Sequence, residues 1–228
     1  MKRDEGCSQG CPAKKKEYAV RMFARVGLSL ILAAAVAAPA LGATVYTDES
    51  AFVAAITPGY YLEDFGAYTT WKSVPTPIHL GPVNGWTYDI SSAPGNLWGL
   101  GTFSGCLSTE WPDATITVTP TGAQPVHAIG GLFFGTDWDG DLSACTISIV
   151  LSDGTTETFG SGTTDREFYG FRSPVPITSL SMNIPGNPHN ANLQEPYPTL
   201  DHLYVGAPEP ATLSLLAVGA LVFLRRRS

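Results

Sequence analysis

The chain is 228 residues long, 44% hydrophobic, 11% aromatic and 14% charged, with a formal net charge of −7 at pH 7. That length supplies one domain with its own core. The acidic balance removes nucleic acid as a partner, because phosphate affinity depends on Lys and Arg neutralising the backbone.

Residues 1–21 carry Lys14, Lys15 and Lys16 and the pair Cys7 and Cys11. Two thiols alone lack the second ligand pair of a tetrahedral metal site. The segment stands upstream of Met22, where translation is expected to start, and then has no role in the finished protein. Residues 22–43 read as a secretory signal peptide: Arg21 and Arg25 supply the basic stretch, Val26 to Ala38 the apolar run, and Ala40, Gly42 and Ala43 the small residues of a cleavage site.

The exported domain is expected over 44–206. Between Thr44 and Ala207 sixteen Asp and Glu oppose only Lys72, Arg166 and Arg172, a formal net charge of −13, which suits solubility and cation binding. One short helix is predicted near its start, capped by Thr47 or Asp48, with Ala51, Phe52, Ala55 and Ile56 on one face and Pro58-Gly59 as its stop. No long helical period follows. Strands are predicted at 60–65, 86–90, 97–103, 115–118, 128–134, 146–151, 155–159, 167–171, 177–184 and 200–205, each flanked by Gly, Pro, Asn or Asp. In the hairpin from Thr146 to Phe159, Asp153-Gly154 is expected to form a tight primed turn, and Ile147, Ile149 and Leu151 alternate with Thr146, Ser148 and Val150, so one face points inward. About ten strands at short spacing need a second sheet to cover their apolar faces. The fold expected is mainly β, an antiparallel jelly-roll-like β-sandwich with one short helix, flanked by a signal-peptide helix and a C-terminal hydrophobic helix.

Of the four cysteines, Cys106 and Cys145 remain after export. Oxidation to a disulfide in that compartment is one reading, and two buried free thiols the other. Asp137-Trp138-Asp139-Gly140-Asp141 sets three carboxylates at alternate positions around a bend, a pattern suited to calcium. Ser148 stands where an EF-hand loop needs Glu, and a solvated acidic turn is the competing reading.

The segment 207–228 has three parts: Pro208-Glu209-Pro210, an apolar run from Ala211 to Leu224, and Arg225, Arg226 and Arg227. At 1.5 Å per residue such a run spans only about 21 Å of a ~30 Å bilayer core, which fits transient insertion better than a permanent anchor, and the arginines favour the cytoplasmic side. In these parts and their order the chain resembles the PEP-CTERM proteins. The resemblance implies passage through the secretion machinery, transient insertion in the inner membrane, recognition by an exosortase, a cut near the motif, and release to the cell surface or beyond it. An ordinary C-terminal membrane anchor is the alternative.

The segments YLEDF (61–65), GGLFFGTDWDGD (130–141), FYGFRSPVPITSLSM (168–182) and LDHLYVG (200–206) resemble recurrent segments of PEP-CTERM surface proteins whose jelly-roll domains are similar to carbohydrate-binding modules. By their places in these segments Glu63, Asp64 and Asp201 are implied as further ligands of a structural calcium. The five tryptophans, with Tyr61, Tyr68, Tyr88 and Tyr197, could stack on sugar rings or fill the core; Trp71, among Thr69, Thr70, Lys72 and Ser73, and Trp111, between Glu110 and Pro112, are those expected at the surface. No catalytic motif is present, and the four histidines stand apart. The expected role is that of a non-catalytic structural protein in a polysaccharide-rich envelope or biofilm. The alternatives are a calcium-dependent carbohydrate-binding module contacting extracellular polysaccharide and, behind it, a glycoside hydrolase with two facing carboxylates.

Overall fold

The computed structural model describes residues 42–56, 59–103, 105–189 and 195–207. The upstream segment, the signal peptide up to Leu41 and the sorting tail beyond Ala207 lie outside them. The chain divides between Leu41 and Gly42 into two units, the first wholly outside the described residues. No helix among the described residues is long and apolar enough to cross a membrane.

Alternation along the strands builds the second unit. One short helix and fifteen strands occur in the order β1 (Thr44–Tyr46), α1 (Glu49–Ala55), β2 (Tyr61–Glu63), β3 (Lys72–Val74), β4 (Ile78–Val83), β5 (Trp86–Ala93), β6 (Leu97–Leu100), β7 (Cys106–Thr109), β8 (Thr115–Pro120), β9 (Ala128–Thr136), β10 (Leu142–Ser143), β11 (Cys145–Leu151), β12 (Thr156–Ser161), β13 (Glu167–Arg172), β14 (Leu180–Asn183) and β15 (Tyr197–Gly206). They form a nine-stranded sheet, β1-β13-β9-β15-β7-β6-β3 with β10 on β9 and β2 on β15, and a six-stranded sheet, β12-β11-β14-β8-β5-β4. Every pairing is antiparallel. This is the mainly β, jelly-roll-like sandwich expected from the sequence.

The main core lies between the sheets. Ile129, Phe133, Phe171, Leu107 and Leu200 of the nine-stranded sheet meet Ile90, Ile116, Val118, Ile147, Ile149 and Leu180 of the other, all buried. At roughly 25 cal/mol per Å² of apolar surface, each of these side chains contributes about 1.5–3 kcal/mol relative to exposure. The outer faces differ sharply. That of the six-stranded sheet is polar where β8 and β14 pair, with Thr117 and Ser181 hydroxyls 3.3 Å apart. That of the nine-stranded sheet carries Ala128, Leu132, Phe134, Phe168, Cys106 and Tyr204, so part of it must be covered.

Helix α1 covers one end. Asp48 caps it, its Oδ1 accepting from the Ala51 N–H at 2.7 Å, as the sequence indicated. Its buried Phe52 lies against Phe168, Tyr204 and Tyr46 at ring distances of 5.6, 6.1 and 5.7 Å. Gly130 and Gly170 make the seat: a Cβ on Gly170 would collide with the Phe52 ring, and one on Gly130 would stand 3.1 Å from it. Four strands end in a row beneath the helix, since Thr44 pairs with Arg172, Arg172 with Ala128, and Ala128 with Gly206.

Three local expectations are corrected. The β11–β12 turn is not a primed two-residue turn: Gly154 alone adopts positive φ (+88°) and its N–H donates to the Leu151 carbonyl at 3.0 Å, a type I turn with Gly in the left-handed region. The strand expected over 97–103 stops at Leu100 as β6, and positive φ at Phe103 and Gly105 turns the chain back into β7. The disulfide does not form, and Cys106 and Cys145 are free thiols. Cys106 packs with Leu100 and Phe134 on the outer face of the nine-stranded sheet, whereas Cys145 packs against the inter-sheet core, with its Sγ over Gly135. The sheet stands between them.

Candidate functional site

The outer face of the nine-stranded sheet changes character along β15. Past the helix-covered end, the register slips between Asp201 and Tyr204, a β-bulge that includes His202 at φ +48°. It holds Asp201 fully buried, facing Arg166: the guanidinium donates to Oδ2, and the His202 N–H donates to Oδ1 at 2.7 Å. Burial pushes the Asp201 carboxyl above its ordinary range, with His202 and Arg166 opposing that rise. Arg166 also lies over Phe103 and Phe134, 5.3 and 6.0 Å from their centroids, and so closes the middle of the face. The neighbouring Cys106 thiol is pushed up to about 12, by burial first and by Asp201 second; burial takes Cys145 to about 11.

Beyond this belt the face opens. The outward residues become small hydroxyls: Thr136 and Thr199 stand 2.8 Å apart, Thr199 donates to Ser108 at 3.0 Å, and Ser108 donates to the Pro198 carbonyl at 3.3 Å. Their mutual bonding satisfies a polar floor without tall side chains. Beside it lies a cleft of about 350 Å³ lined by Trp71, Trp98, Trp138, Tyr197, Leu100, Ser108, Thr109, Glu110, Asp137 and Asp139. That volume lies at the small end of the usual range for ligand pockets, about 300–1,000 Å³.

Four elements position the aromatic walls. Trp71 immediately precedes β3, Trp98 lies on β6, Trp138 sits in the turn after β9, and Tyr197 begins β15. Trp138 is 6.5 Å from Trp98 and 6.1 Å from Tyr197 between ring centroids. Trp71 and Trp138 are each 46% exposed, an unfavourable placement for large apolar surfaces unless something lies on them. Tyr197 is the reverse: it is only 3% exposed, and its hydroxyl is buried with no protein hydrogen-bond partner. Burial, and then Glu195, raise its pKa.

The acidic turn builds one wall from within. Asp137 Oδ1 accepts from the backbone N–H groups of Asp139 (3.0 Å) and Asp141 (2.9 Å), and the Asp137 N–H donates to the Asp141 carbonyl at 2.9 Å. Gly140 sits at φ +79°, and a Cβ there would lie 2.7 Å from Trp71, so its bareness admits the indole. The turn therefore closes on its own hydrogen bonds.

The carboxylates expected to share a calcium ion do not meet. Glu63 accepts from the Tyr61 hydroxyl (2.6 Å) and the Phe65 N–H (3.0 Å), Asp64 from the Gly66 N–H (2.9 Å), and Asp201 is held by Arg166. Among the described residues no three His, Cys, Asp or Glu side chains could hold a metal ion together. These residues do not fit the calcium site that the resemblance implied.

The two tryptophans singled out from sequence part company. Trp71 lines the cleft. Trp111 does not; it stacks on His189 at 4.6 Å, and His189 Nδ1 lies 2.9 Å from Asp113 Oδ1. Trp98, Trp138, Tyr197 and Glu110 were not singled out for this site. Trp138 carried a usable signal, since an indole between two aspartates in a glycine turn has no core to enter. Trp98 and Tyr197 carried none, because their alternation with inward residues reads equally as core. The sorting residues Pro208, Glu209, Pro210, Arg225, Arg226 and Arg227 lie outside the described residues.

Comparison with known proteins bears on the C-terminal segment. The family model for the PEP-CTERM protein-sorting motif matches residues 207–228. No curated protein matches the chain. Among solved structures, the CBM36-1 domain of a multidomain xylanase from the hindgut metagenome of Trinervitermes trinervoides is similar over 62% of this chain and 98% of that one, at 11% identity and a TM-score of 0.36. The chain thus carries a C-terminal PEP-CTERM motif, the mark of an exported, exosortase-processed protein of the cell envelope, behind a mainly β sandwich.

Proposed function

We propose that the protein is a non-catalytic glycan-binding protein of a polysaccharide-rich cell surface or extracellular matrix, exported, cut by exosortase near Pro208-Glu209-Pro210, and working through the cleft on the outer face of its nine-stranded sheet. The observation that carries this reading is the convergence of Trp71, Trp98 and Trp138 on one cleft beside a buried Tyr197 hydroxyl without a partner. Flat indole faces offer the apolar side of a pyranose ring a broad contact, and a buried hydroxyl without a partner costs about 1–3 kcal/mol until a ligand group meets it. Binding without turnover is the reading because the sequence carries no catalytic motif. Calcium is left out of this reading, because the acidic turn closes without it.

The test is a panel of plant, fungal and bacterial polysaccharides, including the host's own, titrated against the purified protein. Binding by the wild type, weakened about tenfold by Trp71→Ala or Trp138→Ala and unaffected by Trp111→Ala and by chelator, is the expected result. A panel without a ligand, or equal loss from Trp111→Ala, would remove the assignment of the cleft.

A further inference from the structure

The cleft is one-sided in charge. Glu110, Asp137 and Asp139 line it, and among the described residues no Lys, Arg or His does; Lys72, next in the chain to Trp71, is exposed outside it. Each carboxylate has accepting capacity to spare. Glu110 uses Oε2 for Asn96 and Asp137 uses Oδ1 for its turn, while the Asp139 carboxylate has no partner among the described residues.

These carboxylates share the cleft with three indoles, whose faces attract cations more strongly than those of Tyr or Phe. The net charge of −13 between Thr44 and Ala207 adds a field that draws cations and repels anions over a distance of about 10 Å at moderate ionic strength. A neutral sugar would use the indoles and leave the surplus acceptors to water. A uronate, sulfate or pyruvate substituent would meet like charge with no cation to pair it. A pyranose bearing a protonated amine uses both features of the wall.

Resting on the glycan reading, we propose that the cleft selects amine-bearing pyranose chains, polymers of de-N-acetylated amino sugar, over their N-acetylated and acidic counterparts. The amine donates to the surplus carboxylate oxygens while the ring lies against the indoles.

The experiment titrates the purified protein with glucosamine oligomers, N-acetylglucosamine oligomers of the same length and oligogalacturonate. The glucosamine series is expected to bind roughly fivefold tighter than the acetylated one at low salt. Its advantage shrinks as salt rises and as pH rises through the pKa of the sugar amine, and oligogalacturonate does not bind. Asp139 is exposed, so Asp139→Asn perturbs the fold least, and it brings the ratio between the first two ligands toward one. Equal affinity for both, binding of oligogalacturonate, or a ratio indifferent to salt and to Asp139→Asn overturns the selectivity while leaving the cleft a glycan site. Failure of every sugar in this set and in the wider panel overturns both.

Discussion

The outer face of the nine-stranded sheet has a closed end and an open end, built on the same strands. At the closed end β9 and β13 present Gly130 and Gly170, and Phe52 of α1 fills the hollow they leave. At the open end β9, β7 and β15 present Thr136, Ser108 and Thr199, which bond to one another, and the aromatic residues stand around that floor rather than over it. Absent side chains invite a helix; small polar ones that satisfy each other keep the floor low and wettable. The Arg166–Asp201 pair with Phe103 separates the two regimes. A sandwich of this kind therefore needs only one helical turn or two to complete its core, and what remains uncovered is available for a ligand.

The sharpest way to break the comparison is Phe52→Ala. Removing a fully buried ring from its glycine seat is expected to cost about 3–5 kcal/mol of folding stability, read by denaturant unfolding, with the glycan affinity of the folded fraction unchanged. A loss below about 1 kcal/mol would mean that the closed end does not depend on this seat. At the open end Gly140→Ala has a smaller effect on stability, about 1–2 kcal/mol for a Cβ forced into positive φ and against Trp71, but it should displace the indole and weaken glycan binding severalfold. Unchanged affinity would show that Trp71 can move without consequence.

The smallest effect concerns pH and belongs to the closed end. Partial burial would raise the Asp153 carboxyl, but hydrogen bonds from the Thr155 N–H and the Ser173 hydroxyl outweigh it and hold the pKa below its ordinary 3.8. A carboxyl depressed in the folded state adds stability that is fully present above that value and is lost as pH falls through the folded pKa. Unfolding followed from neutral to strongly acid pH should show wild type and Asp153→Asn converging at the acid end. A constant gap between them would reject the assignment.

Much of the fold was legible because its cause is local. Thr47 or Asp48 was legible as the cap of a helix before Phe52, and Asp153-Gly154 as a reversal of the chain, although the choice between turn types depended on whether Asp153 would also take positive φ, which sequence leaves open. The strands β1, β3, β4, β7 and β10 were missed: Pro82 within β4, the polar run around Lys72 and the glycines before Cys106 mask three of them, and β1 and β10 are only three and two residues long. The site was half legible. Trp71 stood out by its polar neighbours, but so did Trp111, and only the packing of His189 tells them apart. The carboxylates of the expected calcium set lie apart, Asp201 being paired with Arg166, thirty-five residues earlier in the chain, and no local pattern announces such a pair.

The row Thr44, Arg172, Ala128 and Gly206 brings the start of the first strand and the end of the last to the same pole beneath the helix, two strands apart. Tyr197 starts the same strand that Gly206 ends, so at about 3.3 Å per residue the aromatic cleft opens roughly 30 Å away, at the other pole. Thr44 and Gly206 thus lie at one pole of the sandwich, and the chain enters and leaves it away from the indoles.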